Sequence, residues 1–336
     1  MIFKLFTRKR LALMSLCFVS SASLASIGIT AEVYQDIDRH RVINTKIFYP
    51  TTKTKSEELY ADNPAFYGFN AVKNAPPTGS ELPVYILVHG TSGNWKNLSW
   101  LGSRLAEEGA LVISANHPDY TTGQATPDSV MRMWEQPRDV SFLIDKLLAS
   151  TYVQYIDKKN ITVVGYSLGG YTALSLAGAK FDISGYQNYC LQNKDDSCDY
   201  YKGVFKNLTQ EDRVMISGDY RDKRVSKSIA ISPGYVPAIL SDSLDDLSAN
   251  TIVVGAEFDE VIPPEKQLNP YLAEKHKNLF YVEISGASHF SFMQKCKPQA
   301  TAILAEEGAE FVCQEASNIN RKSIHNELIS TSLYFQ

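Results

Sequence analysis

The sequence predicts a doubly wound α/β protein with a mostly parallel sheet of about eight strands. Three observations carry that reading. Short β-branched runs alternate with amphipathic stretches over most of the chain, a rhythm that builds parallel sheets through right-handed crossovers. The pentapeptide Gly165-Tyr166-Ser167-Leu168-Gly169 joins one such run, Ile161 to Val164, to a small-residue helix over Tyr171 to Lys180. Finally, 336 residues with 44% hydrophobic and 21% charged residues supply enough apolar surface for one large core, with no long charge run to suggest disorder.

The first 25 residues stand apart. Lys4, Arg8, Lys9 and Arg10 precede the apolar segment Leu11 to Val19, and small residues follow up to Ala25. This is the grammar of a secretory signal peptide cleaved after Ala25; the apolar stretch is too short to span a bilayer comfortably, and a retained anchor or a lipid-modified Cys17 are the weaker alternatives. The expectation is therefore a signal peptide over 1–25 and a single domain over 26–336, periplasmic or secreted, with no stable membrane insertion after cleavage. Loss of four basic and no acidic residues moves the formal charge from −4 to −8, which disfavours nucleic acid as a partner. Cys17 leaves with the peptide. The remaining four cysteines fall into local pairs, Cys190 with Cys198 and Cys296 with Cys313, and an even count in an exported chain predicts two disulfides. Their spacings do not suit zinc.

The chain then opens on two strands, Val33 to Asp38 and Arg41 to Tyr49, turned at Arg39 and His40 as an antiparallel hairpin. Thr51 to Leu82 is polar, rich in turn residues and dotted with Tyr60, Phe66, Tyr67 and Phe69. It reads as a long surface loop, whose aromatics either line a cleft or pack down on the core. Strands follow at Pro83 to Val88 and Leu111 to Ala115, with helices at Leu98 to Glu108 and Pro137 to Ser150. The rhythm breaks over about 181–222, a tyrosine- and lysine-rich polar segment holding the first cysteine pair, which reads as a cap-like insertion. Asp195, Asp196 and Asp199 there suit a solvated loop better than calcium. Strands resume at Lys227 to Ile231, Thr251 to Val254 and Leu279 to Ile284, with a helix at Glu265 to Lys275 and a closing helix at Ser323 to Leu333.

Between strand and helix, Gly-x-Ser-x-Gly forms a nucleophile elbow that presents Ser167 on a sharp turn. A serine hydroxyl needs a base to take its proton, and the base needs an acid to hold its tautomer. Both should follow in the order serine, acid, histidine at strand ends. Asp259, just beyond Thr251 to Val254, and His289, just beyond Leu279 to Ile284, meet that requirement. Glu257 and Glu260 are the neighbouring alternatives to Asp259, while His276 and His325 suit packing or surface roles. Backbone amides must also face the developing oxyanion. Leu168, after the nucleophile, is one expected donor, and Thr91, in His89-Gly90-Thr91-Ser92-Gly93, is the other, with His89 holding the loop.

These residues resemble a family. Gly165-Tyr166-Ser167-Leu168-Gly169-Gly170, His89-Gly90, Asn116-His117-Pro118 and Pro137-Arg138-Asp139-Val140 are similar to the dienelactone-hydrolase-like serine hydrolases, relatives of the plasma-type platelet-activating-factor acetylhydrolases. The likeness continues through Tyr189-Cys190, Cys198, His289-Phe290-Ser291-Phe292, Cys296 and Cys313 to Arg321 and His325, and it starts at Asp38-Arg39-His40-Arg41. It implies an α/β-hydrolase with Ser167, Asp259 and His289 as triad and Thr91 and Leu168 as oxyanion donors. Dienelactone hydrolases proper carry a cysteine nucleophile, whereas this chain has serine. The expected activity is hydrolysis of a small-molecule ester or lipid through an acyl-enzyme, without a metal or organic cofactor. A lipase, phospholipid acyl hydrolase or peptidase on the same triad, or a non-catalytic binding protein on the same fold, are the other readings.

Overall fold

A computed structural model describes residues 26–272, 274–315 and 319–335. The signal-peptide segment expected over 1–25 lies outside them. Ten strands form one sheet: β1 (Ser26–Asp36), β2 (Arg41–Thr51), β3 (Glu57–Tyr60), β4 (Phe69–Lys73), β5 (Leu82–Val88), β6 (Leu111–Asn116), β7 (Ile156–Tyr166), β8 (Val225–Ile231), β9 (Asn250–Ala256) and β10 (Leu279–Ile284). Their spatial order is β10-β9-β8-β7-β5-β6-β2-β1-β4-β3. From β6 to β10 every pairing is parallel. β2 pairs antiparallel with β6 and with β1.

Central strands read as unbroken apolar runs because both faces are covered. β5 and β7 each bury their last five residues or more, as parallel strands between helical layers must. On one face lie α3 (Glu135–Leu148) and α4 (Leu168–Ala177), preceded in the chain by α1 (Ser99–Glu107) and α2 (Pro127–Met131). Val140, Leu143, Ile144 and Leu147 of α3 join Leu174 and Ala177 of α4 in one buried cluster. The opposite face buries Leu101 and Leu105 of α1 against Ile324 and Leu328 of the last helix.

The structure departs from the sequence reading in three places. The segment 51–82 is no plain loop: β3 and β4 pair antiparallel there, and β4 adds to β1 in parallel, extending the sheet past the hairpin. The insertion is helical, with α5 (Ile183–Gln192), α6 (Asp196–Tyr201) and α7 (Gln210–Ile216). It buries Tyr186, Tyr189 and Tyr201 in the core. Beyond the short α8 (Asp242–Asp245), the helix expected over Glu265 to Lys275 is a π-turn at Pro264–Leu268 followed by α9 (Asn269–Leu272). Pro264 and Pro270 each lack the N–H that a regular helix needs. The chain ends with α10 (Ala300–Ala305) and α11 (Arg321–Tyr334).

Candidate active site

Ser167 sits between β7 and α4 with φ 57° and ψ −117°, a conformation costly for any residue with a side chain. Its surroundings enforce the turn. Ser167 N–H donates to Ile231 O at 2.9 Å, and Ser167 O accepts from Gly170 N at 2.8 Å and Gly234 N at 3.0 Å. The flanking glycines are steric necessities: a Cβ on Gly165 would stand 1.7 Å from Gly169 O, and one on Gly169 2.1 Å from Val88 O. Strand and helix could not approach so closely with any other residue.

The loop after β9 brings Asp259 to His289, whose Nδ1 lies 2.8 Å from Asp259 Oδ2. The second carboxylate oxygen accepts from Val261 N at 3.0 Å and Ile262 N at 2.7 Å. With its side chain fully buried, Asp259 is thereby fixed in position and orientation. Glu257 instead accepts from Gly286 N at 2.8 Å, bracing the loop before His289, and Glu260 is exposed. Among the three acids, Asp259 alone contacts the imidazole.

Ser167 and His289 both line one cavity of about 520 Å³. No hydrogen bond links Ser167 Oγ to His289 among the described residues, and such contacts commonly tighten only when substrate arrives. Thr91 and Leu168 line the same space. Leu168 begins α4, so its N–H is among those with no intrahelical partner and lies at the positive end of the helix. Thr91 takes the second position of a turn closed by Gly93 N–H to Gly90 O at 3.1 Å, with Ser92 at φ 56°. That bond uses the Gly93 amide, and Thr91 N–H makes no hydrogen bond among the described residues.

The Thr91 loop is anchored from below by His89. Its Nδ1 contacts Gly90 O at 2.8 Å, and its Nε2 accepts from His117 N at 3.1 Å. Burial and the neighbouring His117 push the His89 pKa down to about 3, so the ring is neutral and can serve as donor on one side and acceptor on the other. His117 in turn contacts Asp139 at 3.2 Å, and Asp139 takes two bonds from Arg41, at 2.7 and 2.8 Å. Burial raises the Asp139 pKa, but the His117 and Arg41 bonds outweigh it and hold the carboxyl below its ordinary range.

The short turn His289–Phe292 is held from the other side. Tyr166 Oη donates to His289 O at 3.0 Å, Trp100 Nε1 to Phe292 O at 3.0 Å, and Arg321 to Gln294 O at 2.9 Å. His325 Nε2 lies 3.1 Å from Ser291 O and 2.9 Å from Met293 O. The sequence gives Trp100 and Arg321 no such part, and His325 reads there as a packing or surface residue. No local pattern joins α1, α11 and this turn, and the signal lies only in tertiary contact.

Disulfides join Cys190 to Cys198 and Cys296 to Cys313, with Cα atoms 5.4 and 5.9 Å apart. Both closed loops reach the cavity, through Tyr186, Ser197 and Tyr201 around the first and Phe311 and Val312 beside the second. Asp195 caps α6 by accepting from Cys198 N at 3.0 Å and also accepts from Gln267 Nε2 at 3.1 Å. The aromatics of 51–82 are not among the residues lining this cavity. Phe69 packs on Phe48 at 5.4 Å, while Phe66 bridges to Cys296. Trp95, Trp100 and Trp134 lie outside the lining as well.

Comparison with known proteins agrees with this architecture. Residues 83–182 match the family described as alpha/beta hydrolase fold. Cutinase est2 of Thermobifida alba is 24% identical over 207 residues, covering 60% of this chain and 51% of that protein. Cutinase 1 of Thermobifida cellulosilytica is 22% identical over 204 residues, covering 60% of this chain and 58% of that protein. The chain thus spans about half the length of the curated relatives it matches. Among solved structures, a ferulic acid esterase from Streptomyces cinnamoneus superimposes with a TM-score of 0.61 at 16% identity, covering 93% of this chain and 90% of that one.

Proposed function

From the premise that this chain has the α/β-hydrolase fold, we propose that it is a serine carboxylic-ester hydrolase working through an acyl-enzyme. The single observation that carries the proposal is the 2.8 Å contact of His289 Nδ1 with a buried Asp259, beside the cavity that Ser167 and His289 share. In this reading Asp259 accepts a hydrogen bond from Nδ1–H, which keeps Nε2 unprotonated and able to take the proton of Ser167 Oγ as that oxygen attacks the ester carbonyl. The tetrahedral oxyanion is received by the amides of Thr91 and Leu168. Imidazolium then protonates the departing alcohol, and water, deprotonated by the same histidine, releases the acid.

Ester rather than amide cleavage draws support from the cutinases and the ferulic acid esterase among similar proteins. Within the fold, the motifs around Ser167, His89, Asp139 and His325 ally the chain, in our reading, with the dienelactone-hydrolase-like and acetylhydrolase-like serine hydrolases. The same reading takes residues 26–336 as one exported catalytic domain following a cleaved signal. Two disulfides favour an oxidising compartment. No helix among the described residues is long and apolar enough to cross a membrane.

A fluorophosphonate probe tests the proposal. Ser167 should be labelled stoichiometrically in step with the loss of 4-nitrophenyl acetate hydrolysis, and Ser167→Ala should abolish both. Labelling that persists in Ser167→Ala sinks the assignment.

A further inference from the structure

Besides Tyr166 and His289, the rings lining the 520 Å³ cavity fall into two groups. Tyr186, Tyr201 and Tyr235 pack together with ring centroids 5.2 to 6.2 Å apart, and Tyr200 extends them at 4.9 Å from Tyr201. Phe290 and Phe311 make the other group, 5.0 Å apart. No ring contact joins the two groups among the described residues, and both line the same cavity. They come from different parts of the chain: the tyrosines from the helical insertion and the turn after β8, the phenylalanines from the His289 turn and the segment before Cys313.

Two of these rings are conspicuously uncovered. Tyr200 is 37% and Phe311 48% exposed, although each lines the cavity. Each is pinned near a disulfide, Tyr200 two positions after Cys198 and Phe311 two before Cys313. Exposed rings that line a cavity close to a disulfide are the pattern of a surface completed by a ligand. The lining contains no Lys or Arg, and Asp196 is its single carboxylate, so no side-chain ammonium or guanidinium there pairs with a carboxylate or phosphate carried by the substrate. Burial pushes the phenols of Tyr186, Tyr201 and Tyr235 up, which keeps that wall uncharged as well.

We propose that the cavity takes an uncharged ester bearing an aryl ring on a short arm, the ring lying between the tyrosine and phenylalanine groups, with Tyr200 and Phe311 setting the preference. This rests on the ester-hydrolase reading above and adds the substrate class. Aryl rings gain from offset or edge contacts with other rings beyond the area they bury. A cyclohexyl group buries as much apolar area but lacks that contribution.

The test is therefore two matched pairs. Methyl 3-phenylpropanoate is compared with methyl 3-cyclohexylpropanoate, and 2-phenylethyl acetate with 2-cyclohexylethyl acetate. In each pair the carbonyl is insulated from the ring, so intrinsic reactivity is alike. The phenyl member of at least one pair should have the higher kcat/KM, by about fivefold or more. In Phe311→Leu and Tyr200→Leu, which keep an apolar side chain, the ratio should fall toward one. Calorimetric binding of the intact esters to Ser167→Ala supplies a readout without turnover. Tighter binding of the phenyl ester with no cleavage by the native protein would sink the hydrolase reading and leave the aryl site standing. Ratios at or below one in both pairs, in turnover and in binding, overturn the aryl site. They do so even where simple acetates are cleaved.

Discussion

The indole of Trp100 and the imidazole of His325 lie stacked, ring centroids 3.5 Å apart and 6° from parallel, and together they hold three consecutive carbonyls of the turn that carries His289. Trp100 contacts Phe292 O, and His325 contacts Ser291 O and Met293 O. One N–H facing two carbonyls requires His325 to carry its proton on Nε2. In the proposed mechanism His289 is a reacting group, and a displacement of about 1 Å in such a group costs on the order of 100-fold in rate, so the stack would position it from outside the cavity lining.

His325→Leu should therefore lower kcat on 4-nitrophenyl acetate roughly ten- to hundredfold with KM little changed. His325→Gln, which keeps an N–H donor, should recover part of the loss. Rates are to be normalised to sites titrated with fluorophosphonate. A purely structural role would lower the titratable fraction and leave the rate per titrated site untouched.

Asp259 and Glu257 both face the His289 loop, but in different roles. Asp259→Asn replaces the acceptor on Nδ1 by an amide that can stabilise the wrong tautomer, and kcat should drop by about 10⁴. Glu257→Gln still offers an oxygen to Gly286 N and should stay within about tenfold of the native rate. Equal losses in the two variants would remove Asp259 from its role as the orienting acid.

Acid should destabilise the fold before its carboxylates titrate. Burial pushes the pKa of His89 down to about 3, helped by His117, and burial with the nearby Arg321 does the same for His325. The unfolded chain, with histidines near 6.5, then binds protons that the folded chain refuses. The stability these neutral rings contribute is complete above about pH 6.5 and is lost as the pH falls toward 3, at about 1.4 kcal/mol per pH unit for each ring. Urea midpoints measured from pH 7 to pH 4 should fall along that range, with a shallower slope in His89→Gln. A midpoint constant over this range would refute the neutral assignment.

How much of this was legible in the sequence follows from where each signal is stored. The elbow is local, since the steric demand at Gly165 and Gly169 is written in five consecutive residues. Asp259 and His289 each follow a β-branched strand, so the alternation of strands put both at the same sheet end. β3 and β4 were hidden because Glu57 to Tyr60 forms an exposed edge with too few apolar residues to alternate. The insertion looked polar because its tyrosines have hydroxyls, yet Tyr186 uses its own on Ser197 Oγ at 2.8 Å and buries the ring. Trp100, Arg321 and His325 act on the His289 turn from distant helices, and one sequence carries no trace of that pairing.

Arg321 links the second disulfide to the His289 turn. Its guanidinium lies 3.2 Å from Cys296 Sγ and donates to Val312 O at 2.6 Å and Gln294 O at 2.9 Å. The segment bearing Phe311 and the turn bearing His289 are thereby clamped to one cation, with Glu315 as its counter-ion at 2.5 Å. Opening the Cys296–Cys313 link, which closes a 17-residue separation, should cost about 3 kcal/mol through chain entropy alone. In a Cys296→Ala/Cys313→Ala double variant the unfolding midpoint should therefore fall, and Phe311 should lose its fixed place at the cavity. The second effect is read as a loss of the phenyl-over-cyclohexyl ratio larger than any loss on 4-nitrophenyl acetate. Opening Cys190–Cys198, with a separation of 8, should destabilise somewhat less, by about 2.5 kcal/mol, and should act on the ratio through Tyr200. An unaltered ratio in both double variants would mean that the rings keep their places without the disulfides, and that the two links serve stability alone.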